Sequence, residues 1–172
     1  MNREDTLRIA GIVRESIVDG PGIRFVIFCQ GCPHQCAGCH NSVTHDFEGG
    51  YDCSIDKILQ AVDENPLLSG VTFSGGEPAC QPEGFLTLAR EIKKRNLDVI
   101  MYTGYTFEEL LDIWDADSSL SQLLQEIDVL IDGKYEAEQR DLTLSFRGSR
   151  NQRILDMPAS LAAGHPVELE NF

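Results

Sequence analysis

Three cysteines constrain this chain more than anything else in it. Cys32, Cys36 and Cys39 stand in a C-x3-C-x2-C spacing within Gly31–Asn41, GCPHQCAGCHN, just beyond the apolar run Arg24–Cys29, RFVIFC. Thiolates that close in sequence can converge on one centre without help from distant parts of the fold. Gly31, Pro33 and Gly38 suit a tight loop wrapped round something bulky. A four-iron cluster normally takes four cysteines. Three would leave one iron with an open position, and open positions are how metal sites bind and transform small molecules. The same loop, with a nitrogen from His34, His40 or His45, also has the makings of a Cys3His zinc site.

The rest of the chain alternates short apolar runs with amphipathic ones. Leu7–Val13, Arg24–Cys29, Val71–Phe73, Asp98–Tyr102 and Val129–Ile131 read as strands, and Arg153–Leu155 begins a last, weaker one. Val18–Gly22 carries Asp-Gly-Pro-Gly, a turn signal, and the polar stretch Asn41–Asp52 reads as loop. Helices are predicted from Ser54 as N-cap to about Asn65, over Gln81–Asn96, after the Thr106/Glu109 capping box, and over Ser119–Glu126. In the second of these, Phe85, Leu88, Ala89 and Ile92 recur at i, i+3, i+4 and i+7.

Alternation of this kind predicts an α/β fold of mostly parallel strands, with the chemistry at their carboxyl ends. The chain is too short for eight βα units, so an open or partial (β/α) barrel is expected rather than a closed one, in one domain over 1–172. The cysteine loop, Ser74-Gly75-Gly76, Thr103-Gly104 and Asp132-Gly133 each follow a predicted strand and would meet at one end of the sheet. Glycines at Gly75 and Gly76 would let backbone approach a ligand closely, and neither the P-loop nor the dinucleotide spacing is present.

A formal net charge of −14 argues against nucleic acid as a partner, because phosphate contact needs basic patches. No apolar run is long enough to span a bilayer, and the charged first residues predict a cytoplasmic protein with no membrane partner. A reducing compartment suits free thiols. Cys29, Cys53 and Cys80 have no ligand-like spacing and read as packing residues, although Cys80 lies close after the SGGEP stretch.

Taken in order, Val18–Phe28 (VDGPGIRFVIF), the cysteine loop and Ser74–Pro78 (SGGEP) resemble the glycyl-radical-enzyme activating branch of the radical S-adenosylmethionine (SAM) enzymes. The closing Phe146–Ile154 (FRGSRNQRI) and the short chain narrow the resemblance to activators of the anaerobic ribonucleoside-triphosphate reductase. Activators of pyruvate formate-lyase or another glycyl radical enzyme, which often have longer chains or extra cysteine clusters, are the alternative.

The resemblance implies a 4Fe-4S cluster on Cys32, Cys36 and Cys39, with SAM at the open iron. It implies that Ser74, Gly75, Gly76 and Glu77 receive the methionine amino end, and that backbone of Gly38, Cys39 and His40 meets the adenine. Thr103 and Asp132, at the next two strand ends, complete the implied cofactor site. Where related activators carry an aspartate on the strand before Thr103, this chain has Tyr102. Implied partners are the reductase, as the glycyl radical enzyme, and a reduced flavodoxin-like electron donor. Arg140, Arg147, Arg150 and Arg153 crowd one stretch and could grip a carboxylate of SAM or of the reductase.

Overall fold

The computed structural model describes residues 5–34, 36–39, 42–170 and 172. Seven strands form one sheet: β1 (Thr6–Ser16), β2 (Arg24–Cys29), β3 (Tyr51–Ser54), β4 (Gly70–Gly75), β5 (Asp98–Tyr102), β6 (Val129–Asp132) and β7 (Arg153–Asp156). Their order is β3-β1-β2-β4-β5-β6-β7. The four central strands, β2, β4, β5 and β6, run parallel to one another. Among the described residues no pairing joins β3 to β7, so the sheet stays open. This is the expected α/β architecture, with its central strands parallel in an open sheet.

The flanks depart from the simple alternation. β1 pairs antiparallel with both β2 and β3, and β7 pairs antiparallel with β6. Tyr51 and Asp52, read as loop, belong to β3, a four-residue edge strand whose polar, half-exposed residues carry no apolar period. A further helix, α5 (Met157–Ala163), follows β7 unforeseen.

Helices α1 (Ile55–Asp63), α2 (Pro82–Lys94), α3 (Phe107–Asp112) and α4 (Ser119–Glu126) follow β3, β4 and β5. The buried stripe of α2 contains Phe85, Leu88, Ala89 and Ile92, as its period requires. The capping box of α3 forms, with Thr106 Oγ1 accepting from Glu109 N at 3.1 Å and Glu109 Oε1 accepting from Thr106 N at 3.0 Å. Ser54 occupies the N-cap of α1 without a side-chain bond.

Alternation along the strands divides the two faces of the sheet. Val99 and Met101 join the main core with the helices, whereas Ile100 and Tyr102 join Ile131, Ile154 and Phe146 in a second cluster.

One charge is buried at the foot of β2. Arg24 donates from Nε to Thr72 Oγ1 at 2.8 Å and from Nη2 to Asp98 Oδ1 at 2.5 Å. Thr72 in turn donates to the Asp19 carbonyl at 2.8 Å, fastening the Asp-Gly-Pro-Gly connection to β4.

Candidate functional site

At the carboxyl end of β2 the backbone is stitched on two sides. Gly31 N donates to Thr44 O at 2.6 Å and Cys32 N to His45 O at 3.1 Å, so the returning chain braces the start of the cysteine loop. On the other side Gly76 N donates to Cys29 O and Glu77 N to Gly31 O, both at 2.8 Å. Gln30 adds a brace by donating from Nε2 to the carbonyls of Val43 at 3.1 Å and Asp46 at 2.6 Å. Within the loop, Cys39 N donates to Cys36 O at 3.2 Å across a turn in which Gly38 takes φ +73°. That left-handed conformation favours glycine.

A cavity of about 550 Å³ opens at this end of the sheet. Cys32, Cys36 and Cys39 line it together with Ser74, Gly75, Gly76 and Thr103. The loop after β2, the end of β4, which runs on through Ser74 and Gly75 where a turn was expected, and the loop after β5 therefore bring the predicted ligands and most of the predicted cofactor residues to one place. None of the three is joined in a disulfide. Burial, and next the neighbouring Cys39, push the Cys36 thiol up. Cys29 is buried outside this cavity, and burial followed by Glu77 holds its thiol far above the ordinary value, so it stays protonated. Cys80 is exposed, lines a separate cavity beside Gln81, and is pushed up to about 11 by burial, then by Glu77 and Cys32. Cys53, half-buried, is also raised, chiefly by burial.

Two predicted cofactor residues stand behind the cavity wall. Glu77 is 0% exposed, and its carboxylate is saturated by protein donors. Oε1 accepts from Thr103 Oγ1 at 2.9 Å and Gly104 N at 2.8 Å and meets His34 Nε2 at 2.6 Å, while Oε2 accepts from Ala79 N at 3.1 Å. Asp132 is likewise 0% exposed. It accepts from Phe107 N at 2.8 Å, at the start of α3, and from Arg153 Nε and Nη2 at 3.1 and 2.6 Å. Gly38 is exposed next to Tyr135, and His40 lies outside the described residues.

Gly76 answers to protein backbone as well as to the cavity. A Cβ there would stand 2.3 Å from the Gly31 carbonyl oxygen. At Gly75, where φ is +92°, a Cβ would stand 2.5 Å from Cys29 N. The two glycines are what let the SGGEP segment lie against the root of the cysteine loop.

Several lining residues carried no signal strong enough to single them out. Lys134 and Tyr135, after β6, border the cavity. Tyr102 borders it too and donates its hydroxyl to Phe146 O at 2.6 Å, tying the 141–148 segment across the sheet. Burial, then Asp19, raises the Tyr102 phenol well above its ordinary value. Of the four arginines, Arg147 lines the cavity. Arg150 is exposed. Arg153 is clamped between Asp132 and Glu108.

Three cysteines from one loop on one cavity fit a cluster held by three thiolates. Of the three histidines offered as a nitrogen ligand for zinc, His34 already meets Glu77, His45 borders the cavity and His40 lies outside the described residues. Among the described residues no group of three His, Cys, Asp or Glu side chains gathers tightly enough for one ion. Among them, too, no helix is long and apolar enough to cross a membrane.

A protein family described as "4Fe-4S single cluster domain" matches residues 18–155. The chain is 38% identical over 146 residues to the anaerobic ribonucleoside-triphosphate reductase-activating protein of Vibrio cholerae, covering 80% of this chain and 90% of that protein. It is 33% identical over 143 residues to the protein of that name from Enterobacteria phage T4 (80% and 86% covered), and 32% over 147 residues to that of Escherichia coli K12 (80% and 91%). Among solved structures it resembles QueE from Escherichia coli with a TM-score of 0.46 and 19% identity, over 59% of this chain and 53% of that one.

Proposed function

This chain belongs to the family of the anaerobic ribonucleoside-triphosphate reductase-activating proteins, and from that premise we propose that it is an oxidoreductase that installs a glycyl radical on that reductase. One observation carries the reading. Cys32, Cys36 and Cys39 share one cavity with the Ser74–Gly76 backbone and Thr103, at the carboxyl ends of parallel strands. Such ends are where α/β sheets bind their ligands.

Cys32, Cys36 and Cys39 would hold a 4Fe-4S cluster with one iron free of protein ligands. With SAM bound beside it, the chemistry supplied is reductive cleavage to methionine and a 5′-deoxyadenosyl radical, which takes a hydrogen atom from a glycine of the reductase. The protein's part is orientation and the exclusion of competing reactions. Ser74, Gly75 and Gly76 offer backbone to the methionine end, and Gly38 and Cys39 offer backbone to the adenine. Thr103, braced through Glu77, closes the wall behind them. Electrons would come from a reduced flavodoxin-like donor, in the cytoplasm.

The test is anaerobic. Reconstituted, reduced protein mixed with SAM and the reductase should give a glycyl radical signal in electron paramagnetic resonance, with methionine formed in step. A signal on pyruvate formate-lyase and none on the reductase would overturn the partner. A colourless protein that binds zinc in place of iron and sulfide would overturn the chemistry.

A further inference from the structure

His34 lies between two of the cysteines, and on sequence it offered itself only as a nitrogen ligand for zinc. The fold uses it otherwise. Its side chain is 6% exposed, with Nε2 at 2.6 Å from Oε1 of the fully buried Glu77. The ring meets Tyr105 edge-on, 4.7 Å between centroids at 77°. Gly104 lies so close beneath it that a Cβ there would stand 2.4 Å from the ring. The imidazole is held by a carboxylate, an aromatic edge and a glycine floor, on two segments other than its own loop, the SGGEP stretch and the loop after β5.

Glu77 makes this contact more than local. The oxygen that meets His34 also accepts from Thr103 Oγ1 and Gly104 N, and its other oxygen accepts from Ala79 N. Thr103 N donates to Ile131 O at 3.0 Å, which adds β6 to the set. One buried carboxylate thus joins the cysteine loop, the SGGEP segment and the loop after β5. All three carry walls of the same cavity.

We infer that His34 is a positioning residue: through Glu77 it fixes the Cys32–Cys36 span of the cluster loop against the Ser74–Gly76 and Thr103 walls that receive SAM. The inference rests on the proposed cluster and SAM reading. It also gives the SGGEP glutamate a different task, as the hub of a strut rather than a contact of the SAM amino group. Without this strut the loop would rest on its backbone bonds at Gly31 and Cys32 and on the backbone hydrogen bond from Tyr135 to Cys36, none of which ties it to the Ser74–Gly76 and Thr103 walls at His34. Losing groups that orient metal ligands costs about 10–100-fold in affinity or activity.

The experiment uses the full chain with its cluster reconstituted anaerobically. Iron and sulfide content, the thermal midpoint without SAM, and the SAM concentration giving half of the change in the reduced cluster's paramagnetic signal are measured for wild type and variants. His34→Leu removes the bond to Glu77 but keeps bulk. It should assemble the cluster, yet need about tenfold more SAM or more. His34→Gln can place an amide N–H near Nε2 and should recover most of the loss. Glu77→Gln sets an amide N–H against one of the donors and should weaken the response as well. The double variant His34→Leu/Glu77→Gln should be no worse than the weaker single, since both break one strut.

His34→Leu that responds to SAM as wild type does would overturn the inference. So would losses that add in the double variant, which would mean that Glu77 meets SAM independently. His34→Gln no better than His34→Leu at equal thermal midpoint would overturn it too, since the hydrogen bond would then not be what matters. Wild-type protein with a cluster but no SAM response would overturn the functional reading itself, and this inference with it.

Discussion

Gly76→Ala tests whether the SGGEP glycine serves the protein's own backbone or only an incoming ligand. An alanine Cβ would stand 2.3 Å from the Gly31 carbonyl oxygen, 2.9 Å from the Gly31 carbonyl carbon and 3.0 Å from the Cys29 carbonyl oxygen. All are backbone atoms, so no side chain can swing aside. Reaching ordinary contact requires the two segments to part by about 1 Å. That opening would stretch the 2.8 Å bonds from Gly76 N to Cys29 O and from Glu77 N to Gly31 O beyond useful range. Two buried hydrogen bonds are worth about 1 kcal/mol each, and overpacking adds about 1–3 kcal/mol. Alanine returns about 0.4–1 kcal/mol by restricting the unfolded chain. The net loss is about 2–5 kcal/mol, a large part of the stability of a typical domain.

Urea unfolding of the metal-free chain measures it. At a slope of about 2 kcal/mol/M, the midpoint should fall by about 1–2.5 M. Iron content after reconstitution should fall too, because Gly31 is the root of the cysteine loop. Gly11→Ala is the control, since a Cβ on that β1 residue meets nothing within 4 Å. It should leave the midpoint unchanged or slightly raised. If Gly76→Ala keeps the wild-type midpoint and a full cluster and loses only its response to SAM, the backbone argument is wrong and the glycine exists for the ligand alone.

Serine at Cys32, Cys36 or Cys39 should remove most iron and sulfide on reconstitution, whereas Cys53→Ser and Cys80→Ser should keep both, because neither residue borders the cavity of the three thiols. Arg153→Met strips the buried Asp132 of its cation and should cost about 2–3 kcal/mol in urea unfolding at neutral pH, below the range for a fully buried pair because Arg153 is partly exposed. The same variant should flatten part of the acid limb of the stability curve. The hydrogen bond from Arg153 holds Glu108 below its ordinary value, so its contribution is complete above that value and is lost as pH falls through the lowered one. Tyr102→Phe deletes the bond to Phe146 O and should cost about 1 kcal/mol while speeding hydrogen exchange in the 141–148 segment, with little change elsewhere.

What the sequence displayed openly was local. β2, β5 and α4 run between the residues that their apolar runs and turn signals mark, and the capping box at Thr106 is present as read. The meeting of the cysteine loop, SGGEP and Thr103 was legible because parallel strands put all their following loops at one end. α5 had its own local signature, with Asp156 as N-cap, proline in the first turn and Gly164 at φ +75°. An apolar run too short to be sorted by period hid it. β3 was illegible for a different reason: an edge strand of four residues owes its place to Leu7 and Ile9 across the ladder, not to a pattern of its own.

The side chains behind the cavity wall needed the tertiary structure itself. Asp132 is separated from Arg153 by 21 residues, and Glu77 from His34 by 43. Neither spacing says that a buried charge has found its partner. A motif names residues that share a task, and here the task is divided. Ser74, Gly75 and Gly76 line the cavity, while Glu77, their neighbour in the same motif, turns inward and holds the loops that surround it. The cavity that the three thiols line is thus walled by segments joined through a polar hub that is 0% exposed. A carboxylate bound by four donors in that setting has no cheaper arrangement to fall into, because any donor it released would be left buried and unpaired.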